Sequence, residues 1–169
     1  MLPGAGGTQR LPRVVGVEKA LQMVTSGQHV PAKQCLEMGL VDEISNEDNL
    51  RQDSISFAKK IVSENHPLVK ISEMNDKVEA ARGNENIFKD FRASIARKAR
   101  GFLAPEYNIQ CIEAAVNKSF AEGIEVERKL FMELVTGTQS AAQRYAFFAQ
   151  RQVADRKSTR LNSSHRCIS

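Results

Sequence analysis

Leu2-Pro3-Gly4-Ala5-Gly6-Gly7-Thr8-Gln9-Arg10-Leu11-Pro12 places three glycines within four positions, between two prolines. Glycine reaches backbone conformations closed to other residues, and proline stiffens the chain on either side. The stretch therefore describes a sharp turn that lets another group come close. The run Thr8 to Val15 reads as the start of a short helix whose first N–H groups point back at the turn, ready for a water or an anion. Spacing excludes two phosphate-binding patterns. With Gly4 and Gly6 as the first glycines of a dinucleotide fingerprint, the third falls on Gln9, and no strand precedes the turn. A phosphate loop beginning at Gly4 requires glycine where Gln9 stands and lysine where Arg10 stands.

Working outward, the pattern is mainly helical. Val17 to Ser26 carries Ala20, Leu21 and Val24 on one face, with Gly27 as its stop. Pro31 opens a second helix that ends at Gly39. Leu40 to Ile44 alternates enough to read as a short strand. Asp48 to Glu64 is amphipathic through Leu50, Ile55, Phe57, Ala58, Ile61 and Val62, and His66-Pro67 ends it. Residues 69–86 are polar and irregular and read as a linker. A helical module over 87–154 follows, with helices at Ile87–Arg100, Pro105–Lys118, Glu122–Val135 and Gln139–Val153, and Gly101 and Gly137 as breaks.

The run Pro3 to Gly16, with Ala20-Leu21, Thr25-Ser26-Gly27, Pro31-Ala32-Lys33 and Glu37-Met38-Gly39-Leu40-Val41-Asp42-Glu43-Ile44, resembles the enoyl-CoA hydratase (crotonase) family in order and spacing. The resemblance implies an α/β crotonase-like ββα superhelix, a fatty acyl-CoA thioester substrate and hydration by two glutamates. In the family both glutamates and the oxyanion-hole amides lie upstream of the Leu-Pro-Gly segment, so this chain is expected to be a predominantly helical piece, truncated at both ends and inactive alone. By position the resemblance carries over Gly4, whose backbone N–H helps place the reacting water. Gly6 and Gly7 are assigned to the turn itself, and residues 1–68 to the carboxy-terminal part of the hydratase core.

A second resemblance covers the helical module. Lys98-Ala99-Arg100-Gly101, Ala104-Pro105, Ile112 to Val116, Glu122-Gly123, Glu127-Arg128, Leu130-Phe131 and Gln139-Ser140-Ala141 to Arg151 are similar to bifunctional β-oxidation enzymes. In those, a hydratase domain runs through a helical linker into an NAD-dependent 3-hydroxyacyl-CoA dehydrogenase. The resemblance implies NAD for the dehydrogenase and no cofactor for this stretch, an isomerase side activity, and a location in the cytoplasm, or in the peroxisome if the source is eukaryotic. It names Phe147, Phe148 and Arg151 as candidate substrate-binding residues, because terminal helices of the family cap the acyl pocket. Glu113, Glu127 and Glu133 sit beside basic residues on predicted helices and read as solvated ion-pair partners. Two other readings stay open: a non-catalytic helical docking module, and a piece of a monofunctional hydratase/isomerase.

Residues 155–169, from Asp155-Arg156-Lys157-Ser158-Thr159-Arg160 onward, read as the in-frame translation of a sequencing adapter and are set aside from functional reasoning. They carry four Lys or Arg against one Asp, so without them the net charge falls from +4 to +1. That removes the argument for a nucleic-acid partner. Cys35, Cys111 and Cys167 lack disulfide or metal-ligand spacing, and His29, His66 and His165 form no local cluster, so no metal is expected. No apolar run approaches the ~18 residues of a membrane span. An oligomer is compatible with all of these readings.

Overall fold

A computed structural model describes the backbone of residues 1–164 and the side chains of residues 1–154. Gly6 takes φ +82°, in the left-handed region, and its carbonyl accepts from the N–H groups of Gln9 and Arg10. The turn thus runs directly into α1 (Gly7–Val15). Gly16, at φ +89°, breaks the chain between α1 and α2 (Val17–Ser26), and Gly27, at φ +62°, closes α2 where the sequence placed its stop. The remaining helices are α3 (Ala32–Glu37), α4 (Leu50–Ser63), α5 (Asp76–Glu79), α6 (Glu85–Ala99), α7 (Ala104–Asn117), α8 (Phe120–Thr136) and α9 (Thr138–Ser164). The stretch set aside as extraneous begins within α9, and its residues 165–169 lie outside the described residues.

The core forms around α7, which packs against α1, α2, α5, α6 and α8. Ile109, Ile112 and Val116 recur at helical spacing and are buried against Val15, Val17, Ala20 and Leu21 from the α1–α2 corner, and against Phe88 of α6. Each such aliphatic side chain contributes about 1.5–3 kcal/mol by leaving water. Arg92 of α6 clamps α6 to α7 by donating to both Glu106 and Glu113. Ser119 and Glu122 cap α8 reciprocally, so α8 begins two residues earlier than the sequence pattern suggested. Gln139 ties the start of α9 to the α6–α7 junction, accepting from the Leu103 N–H at 3.1 Å and donating to the Gly101 carbonyl at 2.8 Å.

Several expectations need correction. Leu40 to Ile44 is not a strand: the segment is bent and irregular, and among the described residues no strand is present. Alternation supplies one face but no neighbour, and an extended segment without a ladder partner leaves its N–H and C=O groups to water. The ββα superhelix is accordingly not seen, while the helical character is. Pro31 stands as the N-cap of α3 rather than inside its first turn. In α4 the apolar stripe is covered only in part: Phe57 and Ile61 are half-buried, while Leu50, Ile55 and Val62 are exposed. The irregular stretch 69–86 contains a 3₁₀ turn at Ile71–Glu73 and α5, and it sends Val78 and Ala81 into the core. Lys77 of the same stretch donates to the Val14 carbonyl at the end of α1.

Candidate functional site

The glycine turn is held from outside by one helix. Glu127 of α8 is 1% exposed, and its carboxylate accepts from the Gly6 N–H at 2.6 Å, the Thr8 N–H at 3.0 Å and the Thr8 hydroxyl. The free N–H groups at the start of α1 do take an anion, and that anion is a side chain of the same chain. This overturns the reading of Glu127 as a solvated partner of its basic neighbour. Arg128 turns away to Glu125, and the buried carboxylate is met by neutral donors alone. Glu113 is the ion-pair partner expected of it, although the cation is Arg92 on α6 and not a neighbour on its own helix. Glu133 accepts from the Tyr107 hydroxyl at 3.1 Å.

The network extends further. Thr8 Oγ1 accepts from Gln9 Nε2 at 3.1 Å, and the same nitrogen donates to the Cys111 carbonyl of α7 at 2.8 Å. Thr8, Gln9 and Glu127 are all buried, so the turn is locked to α7 and α8 by hydrogen bonds that water cannot replace. Burial pushes the neighbouring Cys111 thiol up to about 12. Arg13, buried beneath the turn and set over the Phe120 ring at 5.1 Å, donates to the Gln9 carbonyl at 2.6 Å. Desolvation lowers its guanidinium below the usual arginine value. Arg10, at the rim, reaches back to the Ala5 carbonyl at 2.8 Å.

Gly4 sits at the exposed lip of this turn, face to face with Phe131 of α8. A Cβ at Gly4 would stand 2.5 Å from Phe131 Cγ, so the position has no room for a side chain unless the ring moves. Gly123 meets Gln9 in the same way, and Ile124 lies beside Gly6. Three residues of α8 spaced by four, Gly123, Glu127 and Phe131, therefore meet Gln9, then Gly6 and Thr8, then Gly4. Sequence reasoning missed this arrangement. The i, i+4, i+8 spacing of a glycine, an acid and an aromatic was its only local signal.

The other candidates gather elsewhere, on α9. The Phe147 and Phe148 rings meet edge to face with centroids 5.4 Å apart, and the Arg151 guanidinium lies 4.4 Å over Phe147. Both rings are about half exposed. They form a polarised aromatic–cation patch suited to an apolar chain with an anionic end. A cleft of about 440 Å³ between α6 and α7 is lined by residues that include Phe88, Lys89, Arg92 and Glu113, and by none of the α9 candidates. Among the described residues no group of three or more His, Cys, Asp and Glu side chains is placed to hold a metal ion, and no helix is long and apolar enough to cross a membrane.

A family model described as enoyl-CoA hydratase/isomerase matches residues 1–99. The peroxisomal bifunctional enzyme of Cavia porcellus is 38% identical over 151 residues, covering 89% of this chain and 20% of its own length. The fatty acid oxidation complex subunit alpha of Shewanella frigidimarina is also 38% identical over 151 residues, covering 88% and 21%. The peroxisomal bifunctional enzyme of Homo sapiens is 34% identical over 169 residues, covering 100% and 23%. The chain spans about a fifth of the length of these relatives. The glycine turn and helices α1 to α6 thus lie within one family match that spans more than half of the sequence, and the chain belongs to the enoyl-CoA hydratase/isomerase family.

Proposed function

We propose that these residues form the carboxy-terminal part of the hydratase region, with its helical extension, of a bifunctional β-oxidation enzyme. The observation that carries this reading is continuity: the family match ends at residue 99, while similarity to proteins named as bifunctional enzymes or oxidation-complex subunits runs on through the helices beyond it. A free-standing docking module gains no support from that pattern. Residues 1–68 belong to the hydratase core, 69–86 to a connection and 87–154 to the helical module that leads to an NAD-dependent dehydrogenase. Residues 155–169 are left out of this assignment. The helices described here then lie against the ββα superhelix of the longer domain. We place the protein in the cytoplasm, or in the peroxisome if its source is eukaryotic.

The reaction adds water across a trans-2-enoyl-CoA. One glutamate takes a proton from water as its oxygen bonds to C3, and the other gives a proton to C2, yielding the 3-hydroxyacyl-CoA. In the resembling proteins both carboxylates come from chain ahead of the glycine turn. The turn supplies the Gly4 N–H, which orients the attacking water and restricts it to one face of the double bond. Phe147, Phe148 and Arg151 provide apolar surface for the acyl chain and a cation toward the CoA end.

The test uses the longer protein that carries these residues. Gly4→Val should lower crotonyl-CoA hydration by ~100-fold, because a misplaced nucleophile loses its orientation. Oxidation of 3-hydroxyacyl-CoA with NAD should be nearly unchanged. Normal hydration by a folded variant would remove Gly4 from the active site.

A further inference from the structure

We propose that Glu127 is a positioning residue for the hydration reaction, and that α8 is the seat on which the Gly4 turn takes its working shape. This rests on the function proposed above. The turn makes few hydrogen bonds of its own. Between Pro3 and Thr8 its internal bonds are the two that close on the Gly6 carbonyl and the one from Arg10 to Ala5. Its orientation comes from α8, where Glu127 fixes the Gly6 and Thr8 amides and the Phe131 ring fills the space beside Gly4.

The chemistry of the contact argues for a defined geometry rather than general cohesion. Taking a carboxylate out of water without a cationic partner is unfavourable unless donors meet it, and apolar residues of similar volume hold helices together at least as well. Here one carboxylate oxygen is aimed at one backbone N–H while the other takes an N–H and a hydroxyl, which sets the direction of two peptide planes beside Gly4. Gly4 lies two residues before the first of those planes. Between the Gly6 amide plane and the Gly4 N–H stand only the φ/ψ pairs of Gly4 and Ala5, so anchoring the Gly6 amide narrows the directions open to the Gly4 N–H. On this reading the helical extension completes the hydratase site and does not merely lead away from it.

The experiment has two arms. In the longer protein, Glu127→Gln keeps the size and loses the second acceptor, and should cut hydratase kcat by roughly 10- to 100-fold with KM almost unchanged and dehydrogenase activity intact. Thr8→Val should act in the same direction, and Thr8→Ser should restore the wild-type rate. In the 169-residue protein, amide exchange at Gly6 and Thr8 should quicken in Glu127→Gln by about tenfold or more, while Ala20 and Ala115 in the core keep their protection. Wild-type kcat in Glu127→Gln overturns the proposal. So does a joint loss of both activities with protection lost throughout, which is the signature of a merely structural residue. If the wild-type longer protein hydrates no enoyl-CoA, the proposed function fails. The exchange arm then decides the tether by itself, with unchanged Gly6 and Thr8 protection overturning it.

Discussion

Gly123→Ala puts the α8–turn contact to a direct test, because two effects of opposite sign compete at one atom. Replacing glycine in a helix by alanine favours the helix by up to about 1 kcal/mol. At Gly123, however, the added Cβ would lie 2.8 Å from Gln9 Cδ and closer still to Gln9 Oε1. A flexible side-chain end would ordinarily step aside. Gln9 is fully buried, and its amide nitrogen is engaged by both Thr8 Oγ1 and the Cys111 carbonyl. Moving it breaks two buried hydrogen bonds and strands their partners, at about 1–3 kcal/mol for each group left unsatisfied. The clash outweighs the propensity gain, and the net loss is about 2–4 kcal/mol, or roughly 5–15 °C in Tm for a chain of this size. Urea unfolding followed by circular dichroism, with m unchanged, measures it. In a Gln9→Ala background the obstacle is gone, and Gly123→Ala should become neutral or stabilising. That gives a coupling of about 2 kcal/mol or more in the double-mutant cycle. A stabilised single variant would refute the reasoning, since only the propensity term would then be operating.

Two further outcomes follow from the helical body. Arg92→Met should cost about 1–2 kcal/mol at pH 7, because a partly solvated guanidinium shared by two carboxylates is stronger than an isolated surface pair. Arg92 lowers the Glu106 carboxyl below its ordinary 4.5, so the contribution is present above that value and fades as pH falls through the lowered one. The wild-type advantage in urea titrations should hold down to about pH 5 and shrink below it, and a gap that widens in acid would contradict the assignment. Cys111, with its thiol pushed up to about 12, should resist iodoacetamide at pH 8 until the protein unfolds. Native labelling of Cys111 faster than global opening, mapped by mass spectrometry, would show that the α7 interior is not closed.

Local signals were legible wherever their cause is local. Gly27 stops α2 and Gly101 breaks α6 from α7, because each takes a positive φ that the sequence marks with the one residue that tolerates it. The helix expected over Pro105–Lys118 is present as α7, and its Ile109, Ile112 and Val116 are buried. Leu40 to Ile44 failed because a strand is a relation between two segments and alternation describes one. Glu127 failed for a related reason: its neighbours in sequence are charged, while its partners lie 119 and 121 positions away. Val78 and Ala81 were hidden inside a polar stretch whose composition is dominated by its exposed residues. Of the candidate site, the turn around Gly4 was plain from its glycines and prolines, whereas the contacts of Phe147 with Phe148 and Arg151 were not read from the sequence. The helix that seats the turn announced itself only through a four-residue rhythm of unlike residues.

The bond between Gly6 and Glu127 also sets an order of events during synthesis. The two residues are 121 positions apart, and a ribosome adding ~5–20 residues per second needs roughly 6–24 s to make the second after the first. Through that interval the start of α1 has water in place of its carboxylate, and Thr8, Gln9 and Arg13 have not yet met α7 or α8. The glycine turn is therefore made well before the helix that seats it. A pause or premature stop before residue 127 would leave the glycine turn exposed and unseated, a natural target for chaperones or proteases.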